Sequence, residues 1–415
     1  MNKLSITTAI LLGMTMTPAL AEPSVEVMHF WTSGGEAAAL SAVRDKVVSE
    51  GVKWTDAPVA GGGGDAAKTA LQARIASGNP PAAMLMLGQN VIDWANEGLL
   101  GNVDALAAAE GWDAVLPQAV KDFTKIGGHY VSVPTNVHRT DMIWASKAAF
   151  DKIGAPYPKT WDELNALAPK FLAAGIIPLA HGGQAWQEAY MFEAVALGVG
   201  GADFYRKALV DLDDATLRGP EMVAVFTELA ALRGMVDKNA PGRDWNLASA
   251  MVINGEAAMQ IMGDWAKGEF MAAGKVPGKD FLCAAAPGTS NAFTFNVDSF
   301  AMFKLKSADA QKAQGDLAAA IMGPEFQEVF NLNKGSIPVR LNMKLDKFDD
   351  CAKLSSKDFV DTAKSGGLQP SVAHGMAISP AAEGAIKDVV SQFWNDNKIS
   401  VAEAQKRLLS AAKTK

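Results

Sequence analysis

VEVMHFWTSGGEAAALSAVRDKVVSEGVKWTDAPV, residues 25–59, passes from strand to helix and back to strand signals. Val25–Trp31 reads as a strand, Gly34-Gly35 as a turn, and Glu36–Val48 as a helical run. Val52–Val59 is strand-like again, and Gly61–Gly64 makes a flexible turn. Asp65 can cap a helix through Ile75, with Ala67, Ala70, Leu71 and Ile75 on one face. Ala83–Leu87, a short apolar run between Pro81 and Gly88, reads as a buried strand. Strand–helix–strand repetition of this kind predicts an α/β chain with a mostly parallel sheet and helices on both faces.

Further along the chain, His129–Pro134 and Met142–Ser146 read as strands separated by the polar stretch Asn136-Val137-His138-Arg139. Thr160-Trp161-Asp162-Glu163 is a capping box that opens a helix, and Ile176–Ala180 returns to strand character. Long Ala-rich helical runs follow, among them Pro220–Arg233, Asp309–Met322 and Val401–Ala412. There is no internal repeat and no low-complexity linker, so two lobes would be joined by short crossing segments.

The chain has 415 residues, enough for two or three domains that each bury a core. Apolar residues make up 49% and charged residues 20%, which excludes disordered, collagen-like and coiled-coil classes. A net charge of −7 without a basic block argues against nucleic acid or an anionic membrane surface as partner. Residues 1–21 have the pattern of a signal peptide: Lys3, a mostly apolar Ile6–Met14 stretch, and Ala19-Leu20-Ala21 before the cut. No Cys follows that cut, so the expectation is a periplasmic protein without a lipid anchor. In that oxidising compartment Cys283 and Cys351 point to a structural disulfide over two free thiols. The five histidines show no paired metal-ligand spacing, and neither a metal nor a cofactor is expected.

Catalytic motifs mostly fail. Gly62–Thr69 approaches a phosphate loop, but Ala67 stands where its last glycine belongs, so a turn before a helix is the better reading. Aromatic and amide chemistry in loops stands out instead. Phe30–Glu36, Gly182–Glu188 and Gly263–Gly268 each place a Trp among Gly and polar residues after a strand or apolar stretch. The carboxyl ends of parallel strands are where open α/β sheets hold ligands. A sugar ring needs an apolar platform for its C–H face and planar amides, carboxylates and cations round its rim. Trp54, Trp94, Trp161 and Trp394 sit inside helical or strand patterns and read as packing residues.

Taken together, HFWTSGGE (29–36), LQARIASGNPPA (71–82), PTNVHRTDMIWASKAAFDKIG (134–154), PKTWDEL (158–164), GGQAWQ (182–187), GDWAKGEF (263–270) and FNLNKGSIPVR (330–340) carry a resemblance. The chain resembles the sugar-binding proteins of bacterial ABC importers, in particular the glucose/mannose-binding branch of the extracellular solute-binding proteins. The resemblance implies a monomer with a two-lobed periplasmic binding protein fold that closes on one sugar and docks transiently on an inner-membrane permease. It implies discontinuous lobes, 22–135 with about 296–345, and 136–295 with about 346–415. Trp31 and Trp265 match aromatic residues expected to sandwich the sugar, and Glu36, Asp298, Lys334 and His374 match positions expected to take its hydroxyls. Gln89 is expected to contact the sugar as well, at a position where close relatives of that branch carry a Lys, and Phe30 stands where relatives have a second Trp. Trp186 lies in a matching loop, and Asp65 and Asn136 border the expected cleft. An oligosaccharide or polyol is the alternative ligand. An exported sugar-active α/β enzyme is the competing class, and it would need a carboxylate pair or nucleophile brought together by the fold.

Overall fold

The computed structural model describes residues 23–61 and 64–414. The expected signal peptide lies outside those residues, as do two glycines of the phosphate-loop-like turn. Twelve strands are described: β1 (Ser24–His29), β2 (Lys53–Pro58), β3 (Ala83–Leu87), β4 (Lys125–Ile126), β5 (His129–Tyr130) and β6 (Ser132–Arg139), then β7 (Met142–Ser146), β8 (Ile177–Ala180), β9 (Ala257–Ile261), β10 (Phe281–Ala285), β11 (Phe293–Met302) and β12 (Leu368–Pro370). One sheet runs β12-β11-β3-β1-β2 with β6 paired to β11; a second runs β10-β7-β9-β8. Each sheet has its own apolar core. Val25, Leu85, Phe300, Leu317 and Phe330 belong to the first, and Trp144, Phe171, Tyr190, Phe226 and Phe270 to the second.

The sheets are mixed, which corrects the expectation of mostly parallel pairing. β1 is parallel to β2 and β3, but β11 is antiparallel to both β3 and β6, and β7 is antiparallel to β9 and β10. The reason is the crossing. The chain leaves the first sheet through β6 and comes back through β11, so these two long strands run in opposite directions side by side. A third passage follows β12. The helix Asp350–Ser365 and β12 pack with the first core and sheet, so that passage falls beyond residue 370 and not near 345.

The two crossings are pinned by polar groups. Asp141, fully buried, accepts from Arg139 and Thr289, and from the backbone and hydroxyl of Thr294. Arg139 also reaches Asp358 at 2.7 Å and the Ala292 carbonyl at 3.1 Å. These contacts explain why Asn136–Arg139, expected as a break between strands, continues β6 and is entirely buried. A polar run reads as loop unless each group finds a partner, and here each does.

The capping box forms as read: Thr160 Oγ1 accepts from Glu163 N, and the Glu163 carboxylate accepts from Thr160 N. Asp65 does not cap. It is the first residue of the helix Asp65–Ala76, and its side chain turns to Lys68 in solvent. Cys283 in β10 is bonded to Cys351 in the helix Asp350–Ser365.

Candidate functional site

The crossing strands lay the floor of a cavity between the lobes. In the β6–β11 register Asn296 lies opposite His138, Val297 opposite Val137, and Asp298 opposite Asn136. Alternation along a strand sends the two valines into the first core and the polar residues to the other face. His138 Nε2 is 3.0 Å from Asp298 Oδ2, and its Nδ1 makes a short hydrogen bond to Asp264, which follows β9 in the second lobe. Burial opposes a charge on this imidazole, but the two carboxylates outweigh it and hold the pKa above the ordinary histidine value. Asp298 is likewise held below the usual carboxylate range, because His138 and Lys334 overcome the cost of its burial. Asn296 Nδ2 donates to Asp298 Oδ1 at 3.1 Å. That leaves Asn296 Oδ1 buried and without a partner among the described residues. An unpaired buried acceptor of this kind calls for a donor from elsewhere.

The walls come from helix ends. Phe30 and Trp31 follow β1, and Ser33 in extended backbone begins the helix Gly34–Ser49. Glu36 lies in its first turn, where the helix dipole favours an anion, and accepts from Ser33 Oγ at 3.1 Å. Lys334 closes the helix Pro324–Lys334, and its ammonium is 2.7 Å from Glu36 Oε1 and 5.0 Å from the Trp31 ring centre. Opposite, Trp265 precedes the helix Ala266–Ala272. Its ring stands edge-on to His138 and His374, both at 5.1 Å between centroids. Trp186 and Trp245 stand at the starts of the helices Ala185–Tyr205 and Trp245–Ile253.

Phe30, Trp31, Glu36, Leu87, His138, Trp186, Trp245, Trp265, Asn296, Asp298, Lys334 and His374 together line this cavity. Six of the seven residues singled out from sequence thus come together, with Phe30 and Trp186 beside them. Gln89 does not join them: it starts the helix Gln89–Asn96, and its backbone N–H holds the Gly375 carbonyl at 2.8 Å. Asp65 stays in solvent, and Asn136 lies behind the floor, donating to Ser336 and contacting His138. His138, Asn296, Trp245 and Leu87 are the residues that sequence reasoning missed. A signal existed for two of them. Asn136-Val137-His138 and Asn296-Val297-Asp298 share a polar–apolar–polar alternation, the mark of strands with one face in a core.

A model of bacterial extracellular solute-binding proteins matches residues 46–334. The chain belongs to that family. As a solute-binding protein it is a receptor and not an enzyme, so the acids of the floor act as hydrogen-bonding groups and not as a catalytic pair. The chain is 50% identical over 99% of its length to a "Probable sugar-binding periplasmic protein" of Rhizobium meliloti (strain 1021), covering 99% of that protein. A protein of the same name from Brucella suis is 49% identical over 97% of this chain and 95% of its own. Among solved structures, the bacterial solute receptor AcbH superposes with a TM-score of 0.78 at 20% identity, over 95% of this chain and 99% of that one. That likeness shows the two-lobed α/β fold.

Proposed function

We propose that this chain is the sugar-binding component of an ABC importer. It works in the periplasm as a monomer, closing its two lobes on one sugar and delivering it to a membrane permease. The observation that carries the reading is the composition of the interlobe cavity. Trp31 and Trp265 reach it from opposite lobes, and Asn296 Oδ1 waits unpaired on its floor among the described residues. Aromatic faces suit the C–H face of a pyranose, and the carboxylates, amide, ammonium and imidazole suit its hydroxyls. Relatives named as sugar-binding periplasmic proteins support the same conclusion. Ligand binds the closed form more tightly and shifts the population toward it, with no bond broken.

Two aromatic faces with one ring of polar groups between them suit a single pyranose such as glucose or mannose. A second reading, a disaccharide, is favoured by a neighbouring hollow that shares Phe30, Glu36 and Trp245 with the cavity. Calorimetry on the purified protein with D-glucose, D-mannose, D-galactose and a set of disaccharides separates these readings. A stoichiometric heat with the sugar recovered intact is the expected result. Turnover of the sugar, or no binding across the panel, would overturn the proposal.

A further inference from the structure

Glu193 lies outside the cavity, within the helix Ala185–Tyr205, and is almost fully buried. Its two oxygens face different donors. Oε2 accepts from the backbone amides of Val372 (2.9 Å) and Ala373 (3.1 Å), and from the Tyr205 hydroxyl (3.1 Å). Oε1 accepts from Ser371 Oγ at 2.6 Å and from Thr140 Oγ1 at 3.4 Å. The same Ser371 oxygen lies 2.9 Å from Nδ1 of His374.

A serine hydroxyl has one proton and two lone pairs. The short contact to a carboxylate is the stronger use of that proton. Ser371 then has only lone pairs left for His374, so the imidazole proton must sit on Nδ1. The ring is neutral, because burial and then the charges of Lys387 and His138 push its pKa down to about 3. A neutral ring protonated at Nδ1 is bare at Nε2. Among the described residues Nε2 has no protein hydrogen-bond partner, and His374 lines the cavity.

We propose that Glu193 in its ionised form, acting through Ser371, fixes the tautomer of His374, so that the cavity presents an acceptor nitrogen and selects a ligand hydroxyl that donates to it. Glu193 is a positioning residue and touches no ligand. The consequence for selection rests on the cavity being the ligand site. The tautomer itself is independent of it and can be read on the empty protein.

Glu193→Gln tests the relay without changing its shape. Two backbone amides require an acceptor at Oε2, so the amide oxygen must sit there and the NH₂ must face Ser371. Ser371 then receives a proton and donates its own to Nδ1, which moves the imidazole proton to Nε2. The measurement is the ¹⁵N spectrum of labelled, unliganded protein at about pH 8, one unit above the value of about 7 to which burial raises Glu193. The wild type is expected to show His374 protonated at Nδ1 and bare at Nε2, and Glu193→Gln the reverse. Ser371→Ala, which removes the link altogether, is expected to give a mixture. A wild-type spectrum with the proton on Nε2 overturns the proposal, even if neither variant folds. So does an unchanged spectrum in Glu193→Gln. A switched tautomer with unaltered affinity for a sugar that the wild type binds would leave the relay standing and count against the site reading instead.

Discussion

Gly35 and Gly268 meet backbone to backbone where the two lobes close on each other. A Cβ on Gly35 would lie 2.8 Å from the Gly268 carbonyl carbon, and the Gly35 N–H donates to Glu269 Oε1 at 2.9 Å. Helices Gly34–Ser49 and Ala266–Ala272 belong to different cores, so this contact crosses from one lobe to the other and is one that the proposed closing motion would make. Gly35→Ala should therefore penalise closure and leave each lobe intact. Overpacking of this kind costs about 1–3 kcal/mol, or roughly 5- to 150-fold in sugar affinity. Calorimetry gives the affinity, and small-angle scattering with saturating sugar gives the shape. Wild-type affinity and compaction in the variant would show that the contact does not limit closure.

Trp265 and Trp31 each serve both the cavity and a core, Trp265 packing on Trp186 and Tyr190 in the second. Loss of the Trp265 platform in Trp265→Ala is expected to weaken sugar binding by about 1–3 kcal/mol, the scale of stacking losses on aromatic side chains. Trp31 also packs on Phe300 and Phe330, with centroids 5.7 Å and 5.3 Å away, in the first core. Trp31→Ala should add an unfolding penalty of about 3–5 kcal/mol to its loss of affinity. Urea denaturation run beside calorimetry separates lost stability from lost affinity in each variant. Unchanged affinity in Trp265→Ala would remove that ring from the site.

The disulfide joins β10 of the second sheet to a helix whose Ala352 and Phe359 pack in the first core. It closes a loop with a sequence separation of 68, for which chain entropy predicts a contribution of about 4 kcal/mol. Neither cysteine lines the cavity. Replacing both by serine should lower the melting temperature while sugar affinity changes little. A melting curve identical to the wild type would mean that the bridge adds nothing to stability.

His181 provides an acid-sensitive element away from the site. Its ring lies 4.7 Å from Trp394, and neither ring nitrogen has a partner among the described residues. Burial first, and Arg243 second, push its pKa down to about 3. The folded ring stays neutral while the unfolded one takes a proton near 6.5. Its stabilising contribution is thus full above about 6.5 and is lost as pH falls toward 3, at about 1.4 kcal/mol per unit. Glu193, raised by burial to about 7, works in the opposite direction, so the comparison must be with a variant and not with pH alone. His181→Phe should gain on the wild type in chemical denaturation between about pH 6 and pH 4. A constant difference across that range would contradict a neutral buried His181.

Most elements were legible because their signals are local. The Thr160–Glu163 capping box and the apolar run Ala83–Leu87 are complete in a few residues, and both stand in the structure as read. Asn136–Arg139 was not legible. Its burial depends on Asp264, Asp298 and Asp358, more than a hundred residues away. Gln89 illustrates the reverse: the resemblance implied a ligand contact for it, and no local pattern showed that its backbone holds the loop that carries His374.

Periodicity, caps and Gly-flanked tryptophans are properties of neighbours in the chain, so the alternation of strands and helices and most of the loop residues that face the cavity follow from local sequence. The antiparallel crossing of β6 and β11, the clamp of His138 between a carboxylate from each lobe, and the chain Glu193–Ser371–His374 arise only once the chain is folded. Each of those pairs groups that are distant in sequence, and the hydrogen bond that makes a buried polar residue tolerable is supplied by a partner no local pattern can name.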